Sequence, residues 1–127
     1  MTSNSLYPQA ETIEQLRQNI DAVRQRIDQA CTKAGRDPLE VRLLPVSKTH
    51  PAQYLRQAYA AGCRMFGENK VQEAYQKWQE LDDLDNLKWC VIGHLQTNKA
   101  KYVARFASEF HALDSLRLAQ ALNQRLE

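Results

Sequence analysis

The chain has 127 residues, 43% of them hydrophobic and 25% charged, enough for one domain with a real core and too few for two ordinary ones. Its net charge of +2 makes no global electrostatic case for a nucleic acid or a membrane surface. No basic stretch precedes an apolar one in Met1-Thr2-Ser3-Asn4-Ser5-Leu6, so no signal peptide is expected, and no apolar run approaches the ~20 residues of a spanning helix.

The first predicted element is an amphipathic helix. Ile13, Leu16, Ile20, Val23, Ile27 and Cys31 recur at helical spacing, Thr12 and Gln15 form a candidate capping box, and Gly35 ahead of Pro38 supplies the stop. After Pro38 the pattern becomes a repeated strand and helix. The first strand is expected at 41–46, with Pro51 opening its helix and Gly62 closing it. The second, Cys63-Arg64-Met65-Phe66, ends at Gly67-Glu68-Asn69. Its helix carries Val71, Ala74, Tyr75, Trp78 and Leu81 on one face, and the acidic loop 82–86 reads as a solvated connection. Lys88 to Ile92 is the third strand, ending in Gly93-His94. Thr97 or Asn98 is placed to cap the next helix, with Tyr102, Val103 and Phe106. A fourth strand is expected at 109–113, and Asp114 or Ser115 caps a last helix with Leu116, Ala119 and Leu122.

Four βα units in register imply a parallel sheet with right-handed crossovers. Either an open doubly wound sheet or a (β/α) barrel fits; no G-x-G-x-x-G follows any strand, which favours the barrel. The cysteines, Cys31, Cys63 and Cys90, are odd in number and lack a C-x-x-C pair, which argues against a disulfide framework and against zinc. Cys63 and Cys90 read as small core residues of strands, and a reducing cytoplasm is the natural compartment.

Ligands of both architectures bind at the carboxyl ends of the strands. Those ends carry Ser47-Lys48-Thr49, Gly67-Glu68-Asn69, Gly93-His94-Leu95-Gln96 and Asp114-Ser115. A lysine where a strand hands over to a helix can be partly desolvated, which lowers its pKa and makes its amine a nucleophile suited to a Schiff base. Helix capping alone would account for Asn69, Asp114 and Ser115, and His94 has an equal reading as an exposed loop residue. Lys48, Glu68, Asn69 and His94 converging on one face is harder to obtain by chance. Lys88, Lys99, Lys101 and Arg105 with Tyr102 and Phe106 resemble a nucleic-acid face, but the aromatics fit a buried helix stripe better.

Leu44-Pro45-Val46-Ser47-Lys48-Thr49, Phe66-Gly67-Glu68-Asn69-Lys70-Val71-Gln72-Glu73, Ile92-Gly93-His94-Leu95-Gln96-Thr97-Asn98-Lys99 and His111-Ala112-Leu113-Asp114-Ser115-Leu116 together resemble the pyridoxal-phosphate homeostasis family. The resemblance implies an α/β fold, the (β/α)8 TIM barrel of fold-type-III pyridoxal-phosphate (PLP) proteins. Residues 1–38 would form the N-terminal helical segment and 39–127 four of the eight βα units. It implies PLP held on Lys48 as a reversible aldimine, with Asn69 and the Gly67-Glu68 turn near the cofactor and His94 at the same mouth. The implied role is to hold and deliver the cofactor in vitamin B6 and amino-acid homeostasis, without catalysis; the alternative is a racemase-like PLP enzyme. The implied partner is PLP, with no nucleic acid, no membrane and no metal. The full-length protein is expected to be a cytoplasmic monomer making transient contact with PLP-dependent apoenzymes. Members are roughly twice as long, so the chain reads as a piece of a longer protein, without the later strands that hold the phosphate. Cys90 stands where the family often has histidine.

Overall fold

The computed structural model describes residues 11–127; the Met1–Leu6 stretch read above lies outside them. The chain divides into two compact units. One contains the described residues through Leu43 together with Gln57–Gly62, and the other contains Leu44–Arg56 with Cys63–Glu127.

The first unit is built on helix α1 (Ile13–Ala34). The capping box is present: Gln15 N–H donates to Thr12 Oγ1 at 3.1 Å, and Thr12 N–H donates to Gln15 Oε1 at 3.2 Å. Gly35 ends the helix at φ 69°, and Arg36 N–H reaches back to the Cys31 carbonyl at 2.9 Å, so the last carbonyls are satisfied. Cys31 is the buried member of the helix's apolar stripe; Leu16, Ile20, Val23 and Ile27 are half-buried and Ile13 is exposed. A short 3-10 turn, Pro38–Glu40, follows, capped by Asp37 through Leu39 N–H at 3.0 Å.

The second unit holds the sheet. Helix α2 (Ala52–Ala60) begins in it, after Pro51, whose carbonyl accepts from Tyr54 and Leu55 N–H, and its residues from Gln57 onward belong to the first unit. Strand β1 (Met65–Glu68), helix α3 (Val71–Glu80), strand β2 (Lys88–Val91), helix α4 (Ala100–Phe106), strand β3 (Glu109–Phe110) and helix α5 (Leu116–Leu126) complete it. All strand pairs are parallel, in the order β1-β2-β3. The expected first strand is reduced to one bridge, Val46 to Gly67. Ser47 N–H donates to the Gly67 carbonyl at 2.9 Å and Gly67 N–H to the Pro45 carbonyl at 2.8 Å. The next rung back would need an N–H from residue 45 towards Met65, and proline has none, so the ladder stops there. The four segments thus lie side by side in chain order, each joined to the next through a helix. A doubly wound sheet reverses its order at a switch point; this one does not, and its order is that of a (β/α)8 barrel wall.

Several boundaries differ from the expectation. The second strand sits two residues later than Cys63–Phe66 because it takes in Gly67 and Glu68, leaving Cys63 buried just ahead of it. The fourth is two residues long, extended by one bond from His111 N–H to the Val91 carbonyl at 2.9 Å. Thr97 and Asn98 do not cap α4; they lie within a 3-10 turn, Thr97–Lys99, that leads into it. The acidic loop is tied down, since Asp83 takes a bidentate pair from Arg56 at 2.8 and 2.9 Å. That hydrogen-bonded pairing lowers the Asp83 pKa and raises that of Arg56.

One sheet face is covered by helices and carries Phe66, Glu68, Trp89 and Val91, all buried, with the Phe66 and Trp89 rings 5.7 Å apart. Beyond it Tyr75, Trp78, Tyr102 and Phe106 of α3 and α4 form an aromatic cluster with centroids 5.2–5.8 Å apart. Arg105 and Lys101 lie over its rings at 6.0 and 5.3 Å, which places the basic residues of α4 as cation-π partners of that cluster. In α5 Ser115 caps through Leu118 N–H at 3.1 Å, and the buried anchor is Leu118, at 1% exposure, while the expected Leu116 is 74% exposed. Leu118→Ala should therefore cost about 2–5 kcal/mol, and Leu116→Ala no more than about 0.5 kcal/mol. Urea denaturation of both variants checks the order; equal losses would contradict this packing.

Candidate functional site

Lys48 stands where the segment after Val46 leaves the sheet. Its turn closes through His50 N–H to the Ser47 carbonyl at 3.1 Å. Thr49 lies at φ 67°, a left-handed conformation that non-glycine residues seldom adopt. It is held there by Thr49 N–H donating to Glu73 Oε2 at 3.0 Å. Beneath the turn Lys77 of α3, 6% exposed, donates to the Ser47 carbonyl, Glu68 Oε2 and Glu73 Oε2, each at 2.9 Å. An ammonium has three donors, and all three are used. The Ser47 hydroxyl donates to the same Glu68 oxygen. Glu68 Oε1 is buried without a partner among the described residues.

The strand register sorts the candidates by face. Val46, Gly67, Cys90 and Glu109 form one cross-strand row. Side chains alternate in direction along each strand, and the ladder continues through Ile92 N–H to the Glu68 carbonyl and His111 N–H to the Val91 carbonyl, so Ile92 and His111 follow on that face, while Lys48 and Asn69 stand in the turn and the bend just past it. Glu68 belongs to the opposite, helix-covered face, is fully buried, and pairs with Lys77. It does not share the mouth with Lys48; it supports the turn from behind. Lys48 itself is exposed and makes no hydrogen bond or ion pair with a described residue.

Asn69 and Gly93 meet through their backbones. A Cβ on Gly93 would overlap the Asn69 carbonyl, so only glycine allows β1 and β2 to end this close together. Gly67, in the row with Val46 and Cys90, is packed against Leu44, 3.2 Å from where a Cβ would sit. His94 Nδ1 lies 3.4 Å from Asp114 Oδ2, with both side chains mostly exposed, so the ends of β2 and β3 bring together two residues singled out from the sequence. Lys77 and His111 were not singled out. Lys77 could have been, because it falls in phase with Ala74 and Leu81 on the apolar stripe and four residues after Glu73.

The arrangement offers an exposed primary amine, without a partner among the described residues, on a turn held by the buried Lys77 cluster. That suits a ligand with an electrophilic carbonyl.

No family model matches the chain. It is 49% identical over 107 residues to the pyridoxal phosphate homeostasis protein of Pseudomonas aeruginosa, covering 84% of this chain and 46% of that protein. The protein of the same name from Escherichia coli is 45% identical over 107 residues, covering 83% and 46%. Over the length it spans, the chain is similar to the pyridoxal phosphate homeostasis proteins. It spans about half the length of these curated relatives. Among solved structures, PipY of Synechococcus elongatus with PLP bound superposes with a TM-score of 0.67 at 43% identity, over 78% of this chain and 47% of that one. A protein of Bifidobacterium adolescentis matches with a TM-score of 0.79 at 28% identity, over 94% and 54%.

Two outcomes test the support beneath Lys48. Lys77→Met strands a buried carboxylate and should cost about 3–5 kcal/mol, whereas adding Glu68→Leu removes the stranded charge and should restore most of it. Urea midpoints decide this; a double variant as unstable as the sum of the singles would contradict it. The hydrogen bond from Lys77, then that from Thr49 N–H, holds the Glu73 carboxyl below its usual pKa. A depressed folded pKa stabilises fully above the ordinary value of ~4.3 and loses that contribution as pH falls from there through the folded value. The stability gap between wild type and Glu73→Gln should thus shrink from neutral pH to about pH 3, and a constant gap would rule this out.

Proposed function

We propose that the chain carries the lysine of a PLP-holding protein, with Lys48 as the amine that takes the cofactor's aldehyde. The observation that carries this is an exposed lysine, without a partner among the described residues, on a turn clamped from behind by Lys77 and Glu73, in a chain so similar to proteins named for PLP homeostasis. Bound PLP supplies an aldehyde carbon that a primary amine attacks reversibly, which lets one lysine both sequester and surrender it.

In this reading Asn69 lines the floor beside Lys48, and His94, oriented by Asp114, stands at the rim. Glu68 and Lys77 are positioning residues: they fix the backbone on either side of Lys48 and touch no ligand. The role is storage and delivery of the cofactor for B6 and amino-acid homeostasis, without turnover of a substrate. The whole protein works as a cytoplasmic monomer in transient contact with PLP-dependent apoenzymes. Within the described residues no helix is long and apolar enough to cross a membrane.

Titration with PLP followed by absorbance tests the assignment. Wild type should develop the long-wavelength band of lysine-bound cofactor, and Lys48→Ala should lose it and bind at least about tenfold more weakly, with an unchanged circular dichroism spectrum. An undiminished band in folded Lys48→Ala would overturn the assignment.

A further inference from the structure

The strand register assembles a second cluster on the sheet face that carries Val46 and Gly67. Cys90 of β2 pairs directly with Glu109 of β3, and His111 follows two residues on, on the same face. The Cys90 sulfur, a Glu109 carboxylate oxygen and a His111 ring nitrogen all lie within 4.8 Å of one another. His111 Nε2 is 2.9 Å from Glu109 Oε1, and these side chains are 42% and 30% exposed, whereas Cys90 is fully buried beneath them. A glutamate and a histidine two apart on an edge strand make an ordinary surface pair. A thiol placed at the same point is not needed for such a pair.

We propose that Cys90, Glu109 and His111 form a binding site for a divalent transition cation of the zinc type. Thiolate sulfur, imidazole nitrogen and carboxylate oxygen are the ligand set that borderline-soft ions take, while calcium and magnesium take oxygens. Bonds of ~2.0–2.3 Å in a tetrahedral site put ligand atoms ~3.3–3.8 Å apart. The separations here run from 2.9 Å to within 4.8 Å, so side-chain rotation alone closes the site. Three protein ligands leave a fourth position open to water. Binding releases the Cys90 thiol proton to solvent as the sulfur becomes a thiolate ligand.

The absence of a C-x-x-C pair argued against zinc from local spacing. The ligands here come from neighbouring strands, which only the register reveals. The site also has a structural consequence: β3 is joined to β2 by only two residue pairs, and a cation held across the two strands would reinforce that short ladder. The inference does not rest on the reading of Lys48 and stands or falls separately.

The test uses the untagged chain, with cobalt(II) as the optical probe and zinc as competitor. A thiolate-to-cobalt charge-transfer band should saturate at one equivalent, zinc should displace it, and zinc should raise the melting temperature. Cys90→Ser should lose the band. Should that variant fail to fold, His111→Ala, at a partly exposed position, must still show weaker cobalt binding and a smaller thermal shift. No band in the folded wild type, a band that survives Cys90→Ser, or unchanged affinity in His111→Ala would each overturn the proposal.

Discussion

The candidate site depends on one buried ammonium. Lys77 reaches from α3 to the carbonyl that precedes Lys48, to the carboxylate at the end of β1, and to the carboxylate that holds Thr49. Burying a lysine with two glutamates contributes little net stability, because desolvation offsets most of the attraction. What it supplies is position. Each oxygen has one place to be, and the turn carrying Lys48 is fixed on both sides by bonds to the same cation. Thr49 adopts its uncommon backbone conformation because this cluster over-determines it.

The two faces of the sheet divide the work. The helix-covered face is apolar except for Glu68, and the polar cluster there is spent on holding the strand end. The other face carries the cross-strand row Val46, Gly67, Cys90 and Glu109, with Lys48 and Asn69 just past the strand ends. Rigidity comes from the buried Lys77 cluster behind the turn, whose three ammonium donors are all used. This separation explains how an exposed lysine can still be a defined one.

Much of the fold was legible because it is carried by local signals. The capping box of α1, the left-handed Gly35, the apolar stripe of α3 and the Ser115 cap are short-range physics, and each is found as expected. The first strand was over-read, because apolar composition does not register the donor that Pro45 lacks. Leu118 replaced Leu116 as the α5 anchor because several apolar positions offer more than one stripe and only packing chooses between them. Of the candidate site, the position of Lys48, His94 and Asp114 at strand ends could be read from the sequence, but the approach of His94 to Asp114 could not. The face to which Glu68 turns, the role of Lys77 and the grouping of Cys90 with Glu109 and His111 depend on register across strands, which no local pattern encodes. The relatives named for PLP homeostasis are similar to this chain over about half of their own length.

The most direct measurement of the central claim is peptide mapping after incubation with PLP and borohydride reduction, with intact mass to count adducts. The chain has seven lysines, so the choice among them is informative. The account predicts a single dominant adduct on Lys48, with Lys77 unmodified in its buried cluster. Adducts spread over several exposed lysines, or a dominant one elsewhere, would contradict it.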